Sequence, residues 1–258
     1  MRQIIRLGLF ALVLAASLMS KDASAQILST TTVTGAGSAR ADSWVAGLVF
    51  GYNWQQGPMV FGVETDFQGM RLNNTINPAL VYVPGPTGST DFATASSTID
   101  RYGTLRGRIG TTFGSVLLYV TGGLAYGLVD LNSTFQAFGL TTTASSTQPR
   151  VGGVVGAGAE YLIKPNWMLT FQYQYVDLGR VSVASSASGA GPTFISQSAT
   201  TRADFQTAMI GLSFRFAPEG SGSPWAGGYG GIHGGGAWGN STSGVYNGST
   251  TTFTPPPG

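Results

Sequence analysis

The chain has 258 residues, of which only 9% are charged, and it contains no cysteine. A soluble domain usually carries about 25% charged residues, yet no segment beyond the N-terminal region approaches the roughly 18 continuous apolar residues of a membrane-spanning helix. This composition excludes a disulfide-stapled fold and a bundle of membrane helices. Few charges, 39 glycines and 11% aromatic residues fit a sheet that faces lipid.

The first 25 residues have the features of a cleaved signal peptide. Arg2 and Arg6 form a positive region, Leu7–Met19 is a short apolar core, and Ala23–Ala25 is a small-x-small cleavage site. The mature chain is therefore expected to begin at Gln26; an uncleaved anchor, the alternative, needs roughly 20 apolar residues. Removing the leader from the 13 basic and 11 acidic residues leaves ten of each. The neutral mature chain has no basic stripe to support a nucleic-acid partner.

Eight segments alternate apolar side chains with polar or small ones at a period of two, as strands do. In Val116–Leu131, for example, Leu118 and Val120 share one face, whereas Tyr119 and Thr121 share the other. Strands of ten or more residues with an apolar outer face suit a sheet closed on itself in lipid. The predicted strands are Trp44–Trp54, Met59–Leu72, Ile99–Phe113, Val116–Leu131, Arg150–Ile163, Trp167–Val181, Thr201–Phe216 and Trp225–Trp238.

The connections between these segments alternate between short and long. Tight turns are expected at 55–58, 114–115 and 164–166, and long polar loops at 73–98, 132–149 and 182–200. Brief periplasmic turns opposite long external loops are typical of a transmembrane barrel, whereas a secreted β-sandwich, the alternative, has short loops at both ends. Residues 26–43 are expected to be a flexible segment, and 241–258, which ends in three prolines, a disordered tail.

Four stretches carry a family signature, namely GYNWQQGPMVFGVETDF (51–67), YGTLRGRIGTTFGSVLLYVTGGLAYG (102–127), GAGAEYLIKPNWMLTFQYQYVDLG (156–179) and GLSFRF (211–216). They resemble the small outer-membrane β-barrel immunogenic proteins of alpha-proteobacteria, which have an OmpA-like barrel. The resemblance implies an all-β, eight-stranded antiparallel transmembrane β-barrel in the cell outer membrane of a Gram-negative bacterium. It also implies surface-exposed, immunogenic loops and, in some members, a porin label.

The resemblance breaks at both ends of the chain. Family members usually begin with a strand built like W-x-G-F-Y-x-G-G, but residues 26–43 contain nothing similar. That pattern stands instead at the C-terminus, in PWAGGYGGIHGGGAWGN (224–240). We expect a circularly permuted barrel over 44–240, in which 224–240 is the closing strand. The alternative is a remnant of a second barrel, but a seven-stranded remainder would leave an unpaired edge in lipid.

Charged residues on the inner faces of the strands form the first candidate set. The interior of an eight-stranded barrel is just wide enough for side chains to fill, and buried charges must be paired. We therefore expect a polar core of ion pairs that blocks a continuous water channel; a narrow, gated solute path is the alternative. The predicted lumen set is Glu64, Asp66, Arg106, Arg108, Glu160 and Arg215.

Arginines at the external ends of the strands form the second candidate set. Guanidinium groups bind phosphate in a bidentate manner, and lipopolysaccharide presents phosphates at that height. The outward residues Arg71, Arg101 and Arg202 are therefore predicted to contact its headgroups. The alternative is ordinary pairing of interfacial charges, with carboxylates at Asp100, Asp177 and Asp204.

Signals for catalysis are weak. His233 is the single histidine, which with the absence of cysteine leaves no multi-histidine metal site, and no cofactor or enzymatic activity is expected. The predicted role is structural or surface interaction, comprising membrane integrity, lipopolysaccharide contact and antigenic loops; a narrow porin-like channel for small solutes is the alternative. The expected partners are outer-membrane lipid and lipopolysaccharide, the barrel-assembly machinery during insertion, and a surface ligand or host factor.

Overall fold

The computed structural model describes residues 27–77, 79–83, 91–137, 140–188, 193–216 and 223–254. Among these residues no helix is long and apolar enough to cross a bilayer. The strands are β1 (Ile27–Gln56), β2 (Met59–Ile76), β3 (Ala79–Val83), β4 (Phe92–Phe113), β5 (Val116–Ala137), β6 (Leu140–Lys164), β7 (Trp167–Ser188), β8 (Thr193–Arg215) and β9 (Gly227–Thr254). The predicted signal peptide (1–25) lies outside the described residues.

Eight of the nine strands form a closed antiparallel ring in the order β1, β2, β4, β5, β6, β7, β8, β9 and back to β1. The predicted eight-stranded antiparallel barrel is confirmed. The closing strand is β9, whose lower part pairs with Phe205–Arg215 of β8 on one side and with Trp44–Asn53 of β1 on the other. The glycine-rich C-terminal segment thus occupies the position that a permuted barrel requires, while the permutation as an evolutionary event stays a prediction.

A belt of large apolar side chains covers the outer wall of the barrel in the half that adjoins the short periplasmic turns. Along β5, Leu118, Val120 and Leu124 are each about half exposed, whereas Leu117 and Tyr119 on the opposite face are buried. The ten residue steps from Leu118 to Leu128, at about 3.3 Å each and a tilt of about 40°, span about 25 Å. That height matches the apolar band of an outer-membrane barrel.

The strands continue far beyond this belt on the external side, which corrects several predictions. β5 has 22 residues, whereas about 9–11 suffice to cross the bilayer. The segment 26–43 belongs to β1 from Ile27 onward, and the tail 241–258 belongs to β9 up to Thr254. Most of the predicted loops 73–98, 132–149 and 182–200 is also strand. Serine and threonine pair well across strands, as the Thr98 hydroxyl shows by donating to Asn73 Oδ1 at 2.6 Å.

Above the belt the ring separates into two sheets that share an interior. The β6–β7 ladder ends at Gly153 and Asp177, and the β1–β2 ladder ends at Val45 and Met70. The outer parts of β2, β4, β5 and β6 form one sheet, and those of β7, β8, β9 and β1 form the other, with the unpredicted β3 on the free edge of β1.

Side chains, not backbone ladders, bridge the seam between β6 and β7. Gln148 Nε2 donates to the Ser182 carbonyl at 3.0 Å. The hydroxyls of Thr142 and Ser185 lie 2.8 Å apart. Pro149 lies in the part of β6 that no longer pairs with β7. Proline has no N–H to donate, so it is tolerated there, where the strand has a free edge.

Candidate functional site

The predicted lumen charges face one another because of strand register. Glu64 and Asp66 point inward from β2, and Arg106 and Arg108 point inward from the adjacent β4. Glu64 is the direct cross-strand partner of Arg106. All four side chains are buried, so their charges meet inside the barrel and away from both solvent and lipid.

Five charged side chains and one tyrosine form a continuous network, which we call the lumen network. Arg106 donates through Nη2 to Glu64 and, at 2.7 Å, to Asp66 Oδ2. Arg108 reaches Glu64 Oε2 at 3.2 Å and, through Nη2, Glu160 Oε1 at 2.8 Å. The members are Glu64, Asp66, Arg106, Arg108, Glu160 and Tyr229.

Tyr229 ties the closing strand to this network and was missed by the sequence analysis. Its hydroxyl accepts a hydrogen bond from Arg108 Nη1 at 2.8 Å and donates to Glu64 Oε2 at 2.5 Å. The sequence nevertheless indicates an inward role for Tyr229, because it is a large polar side chain flanked on both sides by glycines. A barrel of eight strands needs such a side chain to fill the space that neighbouring glycines leave.

Arg215 does not belong to the lumen network, which corrects its predicted placement. It is the last residue of β8, at the periplasmic end, where the turns expose carbonyl groups. Its guanidinium donates to the carbonyl oxygens of Pro165 at 3.0 Å, Ser223 at 3.1 Å and Ala226 at 3.0 Å. Arg215 therefore links the turn between β6 and β7 to the segment that precedes β9, and it pairs with no carboxylate among the described residues.

Apolar clusters cover the lumen network on both sides. The external cluster contains fully buried Val129, Leu131, Leu178 and Phe205. The periplasmic cluster is a smaller set, comprising Val49, Val60, Leu117, Tyr119, Met168, Trp225 and Tyr229. Trp225, predicted as the first residue of the closing strand, instead lies before β9 with no exposed surface, and its backbone N–H donates to Gln55 Oε1 at 3.2 Å. The charged layer is thus sealed between two apolar layers.

The single histidine, His233, also lies in the lumen wall. Its ring contacts Gln68 Nε2, and its neighbours there are the carboxylates of Glu64 and Asp66. Within the described ranges, no group of three or more His, Cys, Asp or Glu side chains is arranged to hold a metal ion. The histidine therefore contributes to the polar interior as one more hydrogen-bonding side chain.

Four exposed arginines at the top of the apolar belt lie where the strand registers shift. We call Arg71, Arg101, Arg180 and Arg202 the arginine rim. The shifts run from Gly69 to Leu72, from Ile99 to Tyr102, from Asp177 to Arg180 and from Thr200 to Phe205. Bulges at the rim of a barrel re-aim side chains, and here each one presents a guanidinium to the outside at the height of lipid headgroups.

The three arginines predicted to bind lipopolysaccharide differ in their partners. Arg202 pairs with Asp177 and lies 4.0 Å from Asp204. The hydrogen bond from Arg202 holds the pKa of Asp177 below its ordinary value, whereas burial raises the pKa of Asp204. Within the described part of the chain, neither Arg71 nor Arg101 has a carboxylate within ion-pair distance. Those two guanidinium groups are therefore the ones available to an external anion.

Comparison with known proteins places the chain among outer-membrane barrels. Residues 8–216 match the family described as "Outer membrane protein beta-barrel domain", so β9 lies beyond the matched segment. The chain is 34% identical over 191 residues to the 31 kDa outer-membrane immunogenic protein of Brucella melitensis, with 71% of each chain covered. It is 32% identical over 145 residues to the 22 kDa outer membrane protein of Rhizobium leguminosarum bv. viciae, covering 55% of this chain and 56% of that protein. The crystal structure of Neisserial surface protein A matches with 11% identity and a TM-score of 0.22, covering 82% of this chain and 97% of that one.

Proposed function

We propose that this chain, which belongs to the outer membrane protein β-barrel family, is a sealed barrel that acts through its surfaces and does not conduct solutes. The sequence-based resemblance and the outer-membrane location are confirmed by the family match. The relatives are named as outer-membrane immunogenic proteins, and those names describe no enzymatic activity. The observation that carries the proposal is the ion-paired lumen between two apolar clusters.

A solute path along the barrel axis would have to cross all three layers. The periplasmic entrance is filled by Trp225, and the external half is filled by side chains such as Leu131 and Phe205, all with at most 1% of their surface exposed. Between them, an opening motion must separate buried ion pairs, and breaking one such pair costs about 3–5 kcal/mol. Both features support a lumen that stays closed, in preference to the narrow porin-like channel.

The surfaces that remain for function are the external sheets and the arginine rim. The external parts of β4 to β8 are rich in serine and threonine and stand outside the apolar belt, so they are the parts of the barrel that antibodies and a surface ligand or host factor meet first. At the rim, Arg71 and Arg101 have no carboxylate partner in the described part of the chain, which supports a role for them in binding lipopolysaccharide phosphates; such contacts would hold the outer leaflet against the barrel. During insertion, the barrel-assembly machinery is a further partner.

Planar-bilayer recording tests the sealed lumen. The folded full chain is reconstituted beside an open porin as positive control, and its insertion is checked by the resistance of the folded band to unheated detergent. We expect no unitary conductance above the baseline of protein-free membranes. Uniform current steps from the folded chain would refute the proposal and establish the channel.

Retention of lipopolysaccharide tests the rim. The full chain and its R71A/R101A/R202A variant are extracted from outer membranes and washed in detergent, and bound lipopolysaccharide per barrel is measured. We expect the variant to lose most of the bound lipopolysaccharide, with Arg71 and Arg101 responsible for most of the loss. Equal retention by the two proteins would end the proposed headgroup contact.

A further inference from the structure

A groove of about 530 Å³ opens on the outer wall of the barrel, across β2, β4, β5 and β6. Exposed apolar side chains form its walls, including Phe67, Tyr126, Leu128 and Val151. Arg101 lines it at the external side, at the register shift between β4 and β5. The groove is therefore an apolar trough in the upper part of the lipid-facing belt with two arginines at its outer end. These are Arg101 and Arg150, and Arg150 Nη2 donates to Gln148 Oε1 at 2.6 Å.

Outward-facing glycines create this groove. At Gly103 a Cβ atom would lie 2.5 Å from the Tyr126 hydroxyl, so the Tyr126 ring can lie flat over the strand only because that side chain is missing. The ring also meets Phe67 in an edge-on contact at 6.3 Å between centroids. Gly69, the cross-strand partner of Arg101, leaves a second gap in the wall.

We propose that this groove binds one lipopolysaccharide molecule, with an acyl chain lying in the groove and a lipid A phosphate on Arg101. The inference rests on the lipopolysaccharide contact proposed above and gives that contact a defined site. An amphiphile whose phosphate lies outward and whose chain runs toward the bilayer centre matches both the apolar walls and the unpaired guanidinium.

The neighbouring strand supplies a second reason to favour lipopolysaccharide. Arg71 lies in the register shift of β2, beside the shift of β4 that contains Arg101, and its guanidinium has no ion-pair partner among the described residues. Two unpaired cations on adjacent strands complement a headgroup that carries two phosphates better than one that carries a single phosphate. The external end of the barrel also faces the leaflet that contains lipopolysaccharide.

A second outward groove serves as an internal comparison. It has about 550 Å³, lies in the periplasmic half of the belt and is lined by Trp54, Phe61, Ile109 and Gly107. Its only arginine is Arg108, whose guanidinium is engaged in the lumen network. This groove has a similar size and apolar lining but no unpaired cation, so we expect it to accept lipid chains without selecting a headgroup.

Substitutions of single outward residues separate these two grooves. Apart from the adjacent residues of the chain, the nearest atom to a Cβ at Gly69 would be the Ala46 carbonyl oxygen at 3.8 Å, and the nearest to one at Gly107 would be the Gly122 carbonyl oxygen at 4.0 Å. The G69L side chain therefore fills the proposed site without a backbone clash, and G107L fills the comparison groove in the same way. R101A removes the groove arginine that has no ion pair among the described residues, and K164A removes an exposed cation at the periplasmic end of β6, outside the rim and both grooves. The folded state of each full-length variant is checked by its mobility on unheated gels.

Binding is measured on detergent-solubilised barrels by native mass spectrometry, with bisphosphoryl lipid A and phosphatidylglycerol as probes. We expect G69L and R101A each to weaken lipid A binding by about tenfold or more, because each removes either the apolar contact or a charge-assisted hydrogen bond. G107L and K164A should leave lipid A binding close to that of the unmodified chain. Phosphatidylglycerol should bind more weakly than lipid A and respond little to R101A.

The outcomes distinguish the site from the broader proposal. If R71A/R101A/R202A weakens lipid A binding but G69L does not, the rim binds lipopolysaccharide and the groove inference is wrong. If G69L weakens both probes equally, the groove is an unselective lipid cleft and the inference is also overturned. If neither the rim nor the groove variants change lipid A binding, both proposals fail. R101A alters no wall residue, so it tests the site even if G69L does not fold.

Discussion

Replacing Arg106 with methionine tests whether the lumen network stabilises the barrel as described. Arg106 is fully buried and contacts the carboxylates of Glu64 and Asp66. Among the described residues, its removal leaves Asp66 without an ion pair and leaves Arg108 as the one cation paired with Glu64 and Glu160. Breaking a buried ion pair by removing one member costs about 3–5 kcal/mol. Because two carboxylates lose a partner at once, we expect R106M to lower the free energy of unfolding by about 4–5 kcal/mol.

The same chemical change on the outer surface provides the control. The Arg202 side chain is 45% exposed in its pair with Asp177, and exposed pairs contribute only about 0–1 kcal/mol, so R202M should change stability little. Both variants are unfolded by urea in lipid vesicles and followed by tryptophan fluorescence. Adding D66N to R106M should restore part of the loss, since Asp66 is the buried carboxylate whose ion pair R106M removes. If R106M is as stable as R202M, or if D66N makes R106M less stable, the network does not stabilise the barrel in the manner described.

Two further predictions concern the arginine rim. The hydrogen bond from Arg202 lowers the pKa of Asp177. The Asp177 carboxylate therefore adds stability above its unfolded pKa of about 4, and this contribution is lost as pH falls through the lower folded pKa. Carboxyl NMR titration should show the low pKa of Asp177, and R202A should raise that pKa. Gly179 has φ +83°, a conformation that strains other residues. G179A should therefore lower the free energy of unfolding by about 1 kcal/mol. G153A should leave the free energy of unfolding nearly unchanged, since a Cβ atom there meets nothing within 4 Å. An unshifted Asp177 titration, or a G179A barrel as stable as G153A, would contradict the corresponding prediction.

The periplasmic half of the barrel was predictable from the sequence. Every predicted strand bound on that side lies within two residues of the observed one, and β2, β5 and β7 begin at the predicted Met59, Val116 and Trp167. The reason is local, because tight turns require residues such as Gly57 and Gly114, which have φ near +60°, and aromatic side chains mark the adjacent membrane interface.

The external half was not predictable in the same way. Serine, threonine and glycine there have the composition of a loop, and their strand structure depends on pairing between distant segments such as Ile27–Thr34 and Asn247–Thr254. The lumen network was largely predictable because alternation and neighbouring strands place Glu64 and Arg106 together. Arg215 was misplaced because alternation gives the face of a residue but not its depth along the barrel axis.

Closure of the ring by β9 is the claim on which the sealed lumen, Tyr229 and the proposed permutation all depend. β9 pairs through eleven residues, Tyr229–Gly239, with β8 and through ten, Gly227–Gly236, with β1 inside the belt. Its removal would leave about ten backbone hydrogen bonds unmade on each side, where each unpaired group in lipid costs several kcal/mol. That loss exceeds the roughly 5–15 kcal/mol stability of a typical fold.

Heat-modifiable gel mobility of outer-membrane fractions tests this closure most directly. Three chains are compared: the full chain, one stopped after Asn240, which keeps the membrane part of β9, and one stopped after Ala217, which lacks β9. A folded barrel resists detergent until it is boiled, so we predict a mobility shift for the first two chains and none for the third. An equal shift in the chain stopped after Ala217 would show that the barrel closes without β9 and would contradict the account.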